Sequence, residues 1–132
     1  MNQPLCSISI SSKGGLVSIR DFGTRDHPEM ITGEEEVLFL PSHMMVGTRP
    51  DGEGDVIIEV RADGFDGSGM RRVIDAVMTF HSSIMSISEA TDPEEETLRL
   101  PHAGDWHMSV YAAGEPYAHT IVLVLDEKEW QQ

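Results

Sequence analysis

Cysteine is almost missing from this chain: Cys6 is the only one in 132 residues. One cysteine forms no intrachain disulfide, so the fold is not a secreted, disulfide-stapled scaffold. Basic residues are also scarce, with nine Lys and Arg against 23 Asp and Glu and a formal net charge of -14. A field of that sign repels phosphate backbones and argues against nucleic acid as a direct partner. It attracts a basic protein surface and speeds the encounter with it, although the same acidity also serves solubility alone. Long apolar runs are lacking, and no stretch approaches the roughly 20 residues of a membrane helix. The N-terminus, MNQPLCSISI, has neither a charged leader nor an apolar core, so it does not read as a signal peptide, and Leu5-Cys6 does not read as a lipoprotein site. The expected compartment is the cytoplasm, with no membrane partner. At this length one domain, residues 1–132, is expected, with enough chain to bury a core.

What the sequence does have is alternation. Cys6, Ile8 and Ile10 alternate with Ser7, Ser9 and Ser11, and Pro4 stands where a strand can begin. Ser12-Lys13-Gly14-Gly15 reads as a tight turn into Leu16, Val17 and Ile19, which predicts an N-terminal hairpin. Val37 to Leu40 and His43 to Thr48 are short apolar runs around Pro41, and Val56, Ile58 and Val60 form one apolar face of a further strand. Met70 to Phe80 is ambiguous. Met70, Val73, Ile74, Val77 and Met78 recur at helical spacing behind a Ser68 cap, while Ile74, Ala76, Met78 and Phe80 alternate as a strand would. Its context of short strands and regular turns favours a strand. Ile84 to Ile87 adds a strand, and Thr97 to Leu100 is expected to open a C-terminal hairpin through Pro101 to Asp105. Trp106, Met108, Val110 and Ala112 then alternate. The last strand is apolar on both faces from Ile121 to Leu125, which places it inside a sheet. The whole is an all-β pattern: an antiparallel β-sandwich of about eight to ten short strands, with room for one short helix.

No catalytic or ligand motif stands out. The six histidines include no HExxH or paired-ligand spacing, and the Asp51 to Asp55 and Asp63 to Gly67 stretches lack the order of a calcium loop, reading instead as hairpin turns. Asp21-Phe22-Gly23 shares three letters with the kinase magnesium motif but has none of its companions. Cys6 lies on the predicted core face, an inert position. No serine sits in a nucleophile elbow, and Ser82, Ser83, Ser86 and Ser88 read as solvent-side residues. No cofactor, metal or enzymatic activity is therefore expected. Two acidic clusters remain: Glu34-Glu35-Glu36 before a strand, and Asp92 with Glu94-Glu95-Glu96 in a loop. Such runs are commonly solvated faces, and they are also what an inhibitor presents to the cationic cleft of a nuclease.

The order of features resembles the competence protein J family of nuclease inhibitors, and a looser group of bacterial β-sandwich proteins. The matching pieces are SISISSKGGLVSIRD, GDVIIEVRADG, MRRVIDAVMTFHSSIMSIS, and LRLPHAGDWHMSVYAAG followed by AHTIVLVLD. Leu100-Pro101-His102-Ala103-Gly104 has one residue more than the family's Leu-Pro-x-Gly turn, and Trp106 stands where an aromatic is expected. The resemblance implies a strand at Met70 to Phe80 and a non-enzymatic, immunity-type protein that binds and blocks a nuclease or toxin; the net charge adds that this partner is basic, and the alternative is a structural or generic binding module whose acidity serves solubility. An exposed sheet edge serves a homodimer as readily as it serves such a partner.

Overall fold

The computed structural model describes residues 4–11, 14–29, 36–49, 53–92 and 94–131. Ten strands form two five-stranded sheets. The first holds β1 (Cys6–Ile10), β5 (Val56–Arg61), β10 (Thr120–Leu125), β9 (Gly104–Ala113) and β6 (Arg71–Phe80), in that spatial order. The second runs β3 (Val37–Leu40), β4 (His43–Gly47), β2 (Leu16–Asp21), β7 (Ile84–Glu89) and β8 (Glu96–Arg99). Pairing is antiparallel except between β5 and β10. A helix of one turn, α1 (Glu127–Trp130), follows β10 and is capped by Asp126, whose carboxylate accepts the N–H groups of Lys128 and Glu129.

The alternating residues build the core. Val17 and Ile19 on β2 and Ile58 and Val60 on β5 are fully buried, as are Ile121 and Leu123 on β10. Strand β10 lies between β5 and β9, as its two apolar faces predict, and Val122 on its outward face is also buried. Met70 to Phe80 resolves in favour of alternation. Arg71–Phe80 is a ten-residue strand, and its helical spacing is broken by a bulge between Arg72 and Ile74. Trp106 anchors the start of β9. It is fully buried, its Nε1–H donates to the His102 carbonyl at 3.1 Å, and the His102 ring stacks on it at 4.5 Å. Trp130 of α1 packs at 6.2 Å from the same indole.

The chain connects these strands differently from what their turns suggest. β1 and β2 are not a hairpin: β1 pairs with β5 in one sheet, and β2 pairs with β4 and β7 in the other. Likewise β8 pairs with β7, so Pro101 to Ala103 carries the chain from one sheet to the other instead of folding β8 onto β9. The Asp63 to Gly67 stretch joins β5 to β6, which lie apart in their sheet, and is therefore a crossover, not a hairpin turn. Gly67 in this crossover has φ +81 and lies beneath the Tyr111 ring, where a Cβ would collide. Asp21 locks another crossover. Its carboxylate accepts the N–H of His81 at 3.1 Å and of Ser82 at 3.0 Å, and also the Ser82 hydroxyl, fixing the β6–β7 turn.

Candidate functional site

The two sides of the sandwich differ. On one side β6 packs against β3. There Thr79 N–H donates to the Pro41 carbonyl at 2.8 Å, and Arg71 bridges Glu36 at 2.7 Å. On the other side the edge strands β1 and β8 face each other, and among the described residues no backbone hydrogen bond joins them. A groove of about 480 Å³ opens here, lined by Ser9 to Ser11, by Ile87 and Glu89 of β7, and by Asp92, Glu94, Glu95 and Glu96. Among the described residues that line it, five are carboxylates and none is basic.

These carboxylates do different jobs. Glu89 is buried and structural: it accepts the Gly14 N–H at 3.1 Å, the Thr91 N–H at 2.9 Å and the Thr91 hydroxyl. Glu95 bridges Arg20 at 2.8 Å and accepts the Ser86 hydroxyl. The Ser86 bond first, and Arg20 second, hold its carboxyl below the usual range. Asp92 caps its own loop by accepting the Glu94 N–H at 2.9 Å. Glu94 and Glu96 are exposed, and among the described residues their carboxylates have no hydrogen bond or ion pair. Glu96 lies opposite Ile87 in register, on the side facing β1. Burial pushes the Cys6 thiol up, and the nearby Glu96 charge adds to that. Cys6 is a packing residue beside the groove, not a reactive thiol.

Glu36, the one described residue of the first acidic cluster, does not meet the second cluster. Glu36 precedes β3, at the opposite edge of the second sheet from β8, and its charge is engaged by Arg71. Glu34 and Glu35 lie outside the described residues. Of the described residues in the two clusters, only Asp92 and Glu94 to Glu96 line the groove. Ser9, Ile10, Ser11 and Glu89 join them without having been singled out as site residues. Glu89 opens the acidic segment and was legible there, whereas β1 comes from some eighty residues away and carries no mark in the sequence.

Other polar groups are absorbed by structure. Ser86 and Ser88 are buried, and Ser82 and Ser83 are half-buried, so these four are not the solvent-side positions that alternation suggests. Ser86 serves Glu95, and Ser82 serves Asp21. His43 is buried on the same sheet. Its Nδ1–H donates to the Asp26 carbonyl at 2.8 Å, and Nε2 meets the Ser18 hydroxyl at 3.0 Å. Asp63 of the suspected calcium stretch is held by Arg61 at 2.8 Å. Among the described residues, no three His, Cys, Asp or Glu side chains gather as a metal-binding group.

No family model matches the sequence, and no curated protein matches it. A solved structure does match: ComJ, inhibitor of the DNA degrading activity of NucA, from Bacillus subtilis, with a TM-score of 0.74 over 96% of this chain and 98% of that one. Sequence identity is 10%, so the likeness is one of fold, and it agrees with the resemblance to the competence protein J family drawn from strand order and turn chemistry.

Proposed function

We propose that this protein is a non-enzymatic inhibitor that binds a nuclease and blocks it with the acidic groove between β1 and β8. One observation carries the reading: a chain of net charge -14 has the fold of a nuclease inhibitor and, among the described residues, leaves the Glu94 and Glu96 carboxylates without a partner at an open side. A nuclease cleft that holds phosphate is cationic, and unpaired surface carboxylates speed encounter with it and select for it. Asp92, Glu94 and Glu96 are the contact residues in this reading. Glu95 supports the loop from beneath, and Glu36 lies on the other edge and has no part. The test is affinity purification from the native host at low and at moderate salt, followed by a DNA-degradation assay of whatever is retained. The expected result is a basic nuclease whose activity falls when the chain is added at equal concentration, with inhibition lost in the Glu94→Lys, Glu96→Lys double variant. Retention of no nuclease at either salt concentration, or inhibition unchanged by the double reversal, overturns it.

A further inference from the structure

The edge of β8 carries a more specific prediction, which rests on the inhibitor reading above and names how the partner is held. Leu100 N–H donates to the Ser83 carbonyl at 2.8 Å, one step beyond the Arg99–Ile84 pair. Hydrogen-bonded and non-bonded pairs alternate along an antiparallel ladder. Leu98 and Glu96 therefore direct their backbone groups towards β7, and Thr97 and Arg99 direct theirs away from it. Among the described residues, nothing accepts from or donates to those outward N–H and C=O groups. Beside them, the inward side chains of Cys6 and Ile8 on β1 and Leu98 on β8 pack against the core but stay partly exposed. Such an edge is a template for a further strand.

We infer that the partner inserts one extended, cationic segment at this edge. Its backbone pairs with Thr97 and Arg99, its apolar side chains cover Cys6, Ile8 and Leu98, and a lysine or arginine enters the groove against Glu94 and Glu96. Charge selects the occupant. A second copy of a chain of net charge -14 would bring like charge to a groove lined by carboxylates, and a cationic segment brings the opposite charge. Main-chain pairing supplies the hold, and the two unpaired carboxylates supply the selection.

The probe is a synthetic peptide of roughly eight residues, a usual strand length, with the sequence Val-Thr-Val-Thr-Lys-Thr-Lys-Thr, so that the valines meant for Leu98 and the lysines meant for Glu96 lie on one face, as those two residues do. It is titrated into the intact protein while backbone amides are followed by NMR and hydrogen exchange. The expected result is protection of the Thr97 and Arg99 amides, with binding weakened about tenfold in the peptide N-methylated at every backbone amide, which keeps every charge and loses every backbone donor. Thr97→Pro removes an N–H that makes no bond among the described residues and is expected to weaken binding to a similar degree. Should that variant fail to fold, the N-methylated peptide carries the same test on the unaltered protein. Equal binding of the two peptides, protection at β1 or β3 instead, or a dimer formed through β8 in sedimentation overturns the inference. Nuclease inhibition that survives Thr97→Pro but not the double charge reversal overturns strand insertion and leaves the inhibitor reading standing. Edge binding of the peptide by a protein that inhibits no nuclease overturns that reading instead.

Discussion

Replacing Glu95 with alanine separates structural from functional acidity in one loop. Glu95 accepts from Arg20 at 2.8 Å and from the hydroxyl of the fully buried Ser86. Its removal leaves that hydroxyl without its acceptor. It also leaves a guanidinium, whose Nε already has no partner among the described residues, without its counter-charge. A hydrogen bond to a charged group contributes about 1.5–3 kcal/mol. The Arg20 side chain is 31% exposed and that of Glu95 23%, so solvent screens part of the ion pair, and the net cost comes to about 2 kcal/mol. In a domain of this size that lowers the melting temperature by about 8 °C. Exposed Glu94, changed to alanine, is expected to move stability by less than about 0.5 kcal/mol. Acid supplies a second readout. The folded pKa of Glu95 lies below its unfolded value, so its contribution is complete above the ordinary glutamate pKa of about 4.3 and is lost as pH falls through the depressed folded value. Urea titrations of wild type, Glu95→Ala and Glu94→Ala near neutral pH and at stepwise lower pH measure both effects. A Glu95→Ala protein as stable as Glu94→Ala, or a stability gap that does not close in acid, refutes the reasoning.

His43 is predicted to make stability fall as pH drops below about 6.5. Burial, the largest influence, and the Arg20 and His27 charges lower its pKa against the opposing pull of the Asp26 carbonyl, so the unfolded chain takes up the proton first. A shallower pH slope of the urea midpoint in His43→Gln checks this. Trp106→Ala is expected to cost about 3–5 kcal/mol, and Trp106→Phe less, since the smaller change still loses the bond to the His102 carbonyl; urea denaturation measures both. Gly67→Ala combines a left-handed φ with the Tyr111 ring and is expected to cost more than 1 kcal/mol, read by thermal melting.

The sequence by itself determined the strands and their faces. Cys6 to Ile10, Val56 to Val60 and Trp106 to Ala112 alternate, and a strand with period two can bury only one such face. The two-faced apolar run at Ile121 to Leu125 likewise required a place between neighbours. Tertiary structure alone decided which strands became neighbours. Turn residues at Gly14-Gly15 and Pro101 to Gly104 mark where the chain reverses, but a reversal serves a hairpin and a passage between sheets equally well. The choice is settled by burial summed over partners far apart in sequence. The site followed the same division. Composition announced an acidic surface, yet it could not say that Arg71 engages Glu36 at one edge, that Arg20 and Ser86 hold Glu95, or that Glu94 and Glu96 have no partner among the described residues and lie beside a strand from the other end of the chain. A carboxylate's role depends on which cation lies within reach, and that distance exists only once the two sheets have packed.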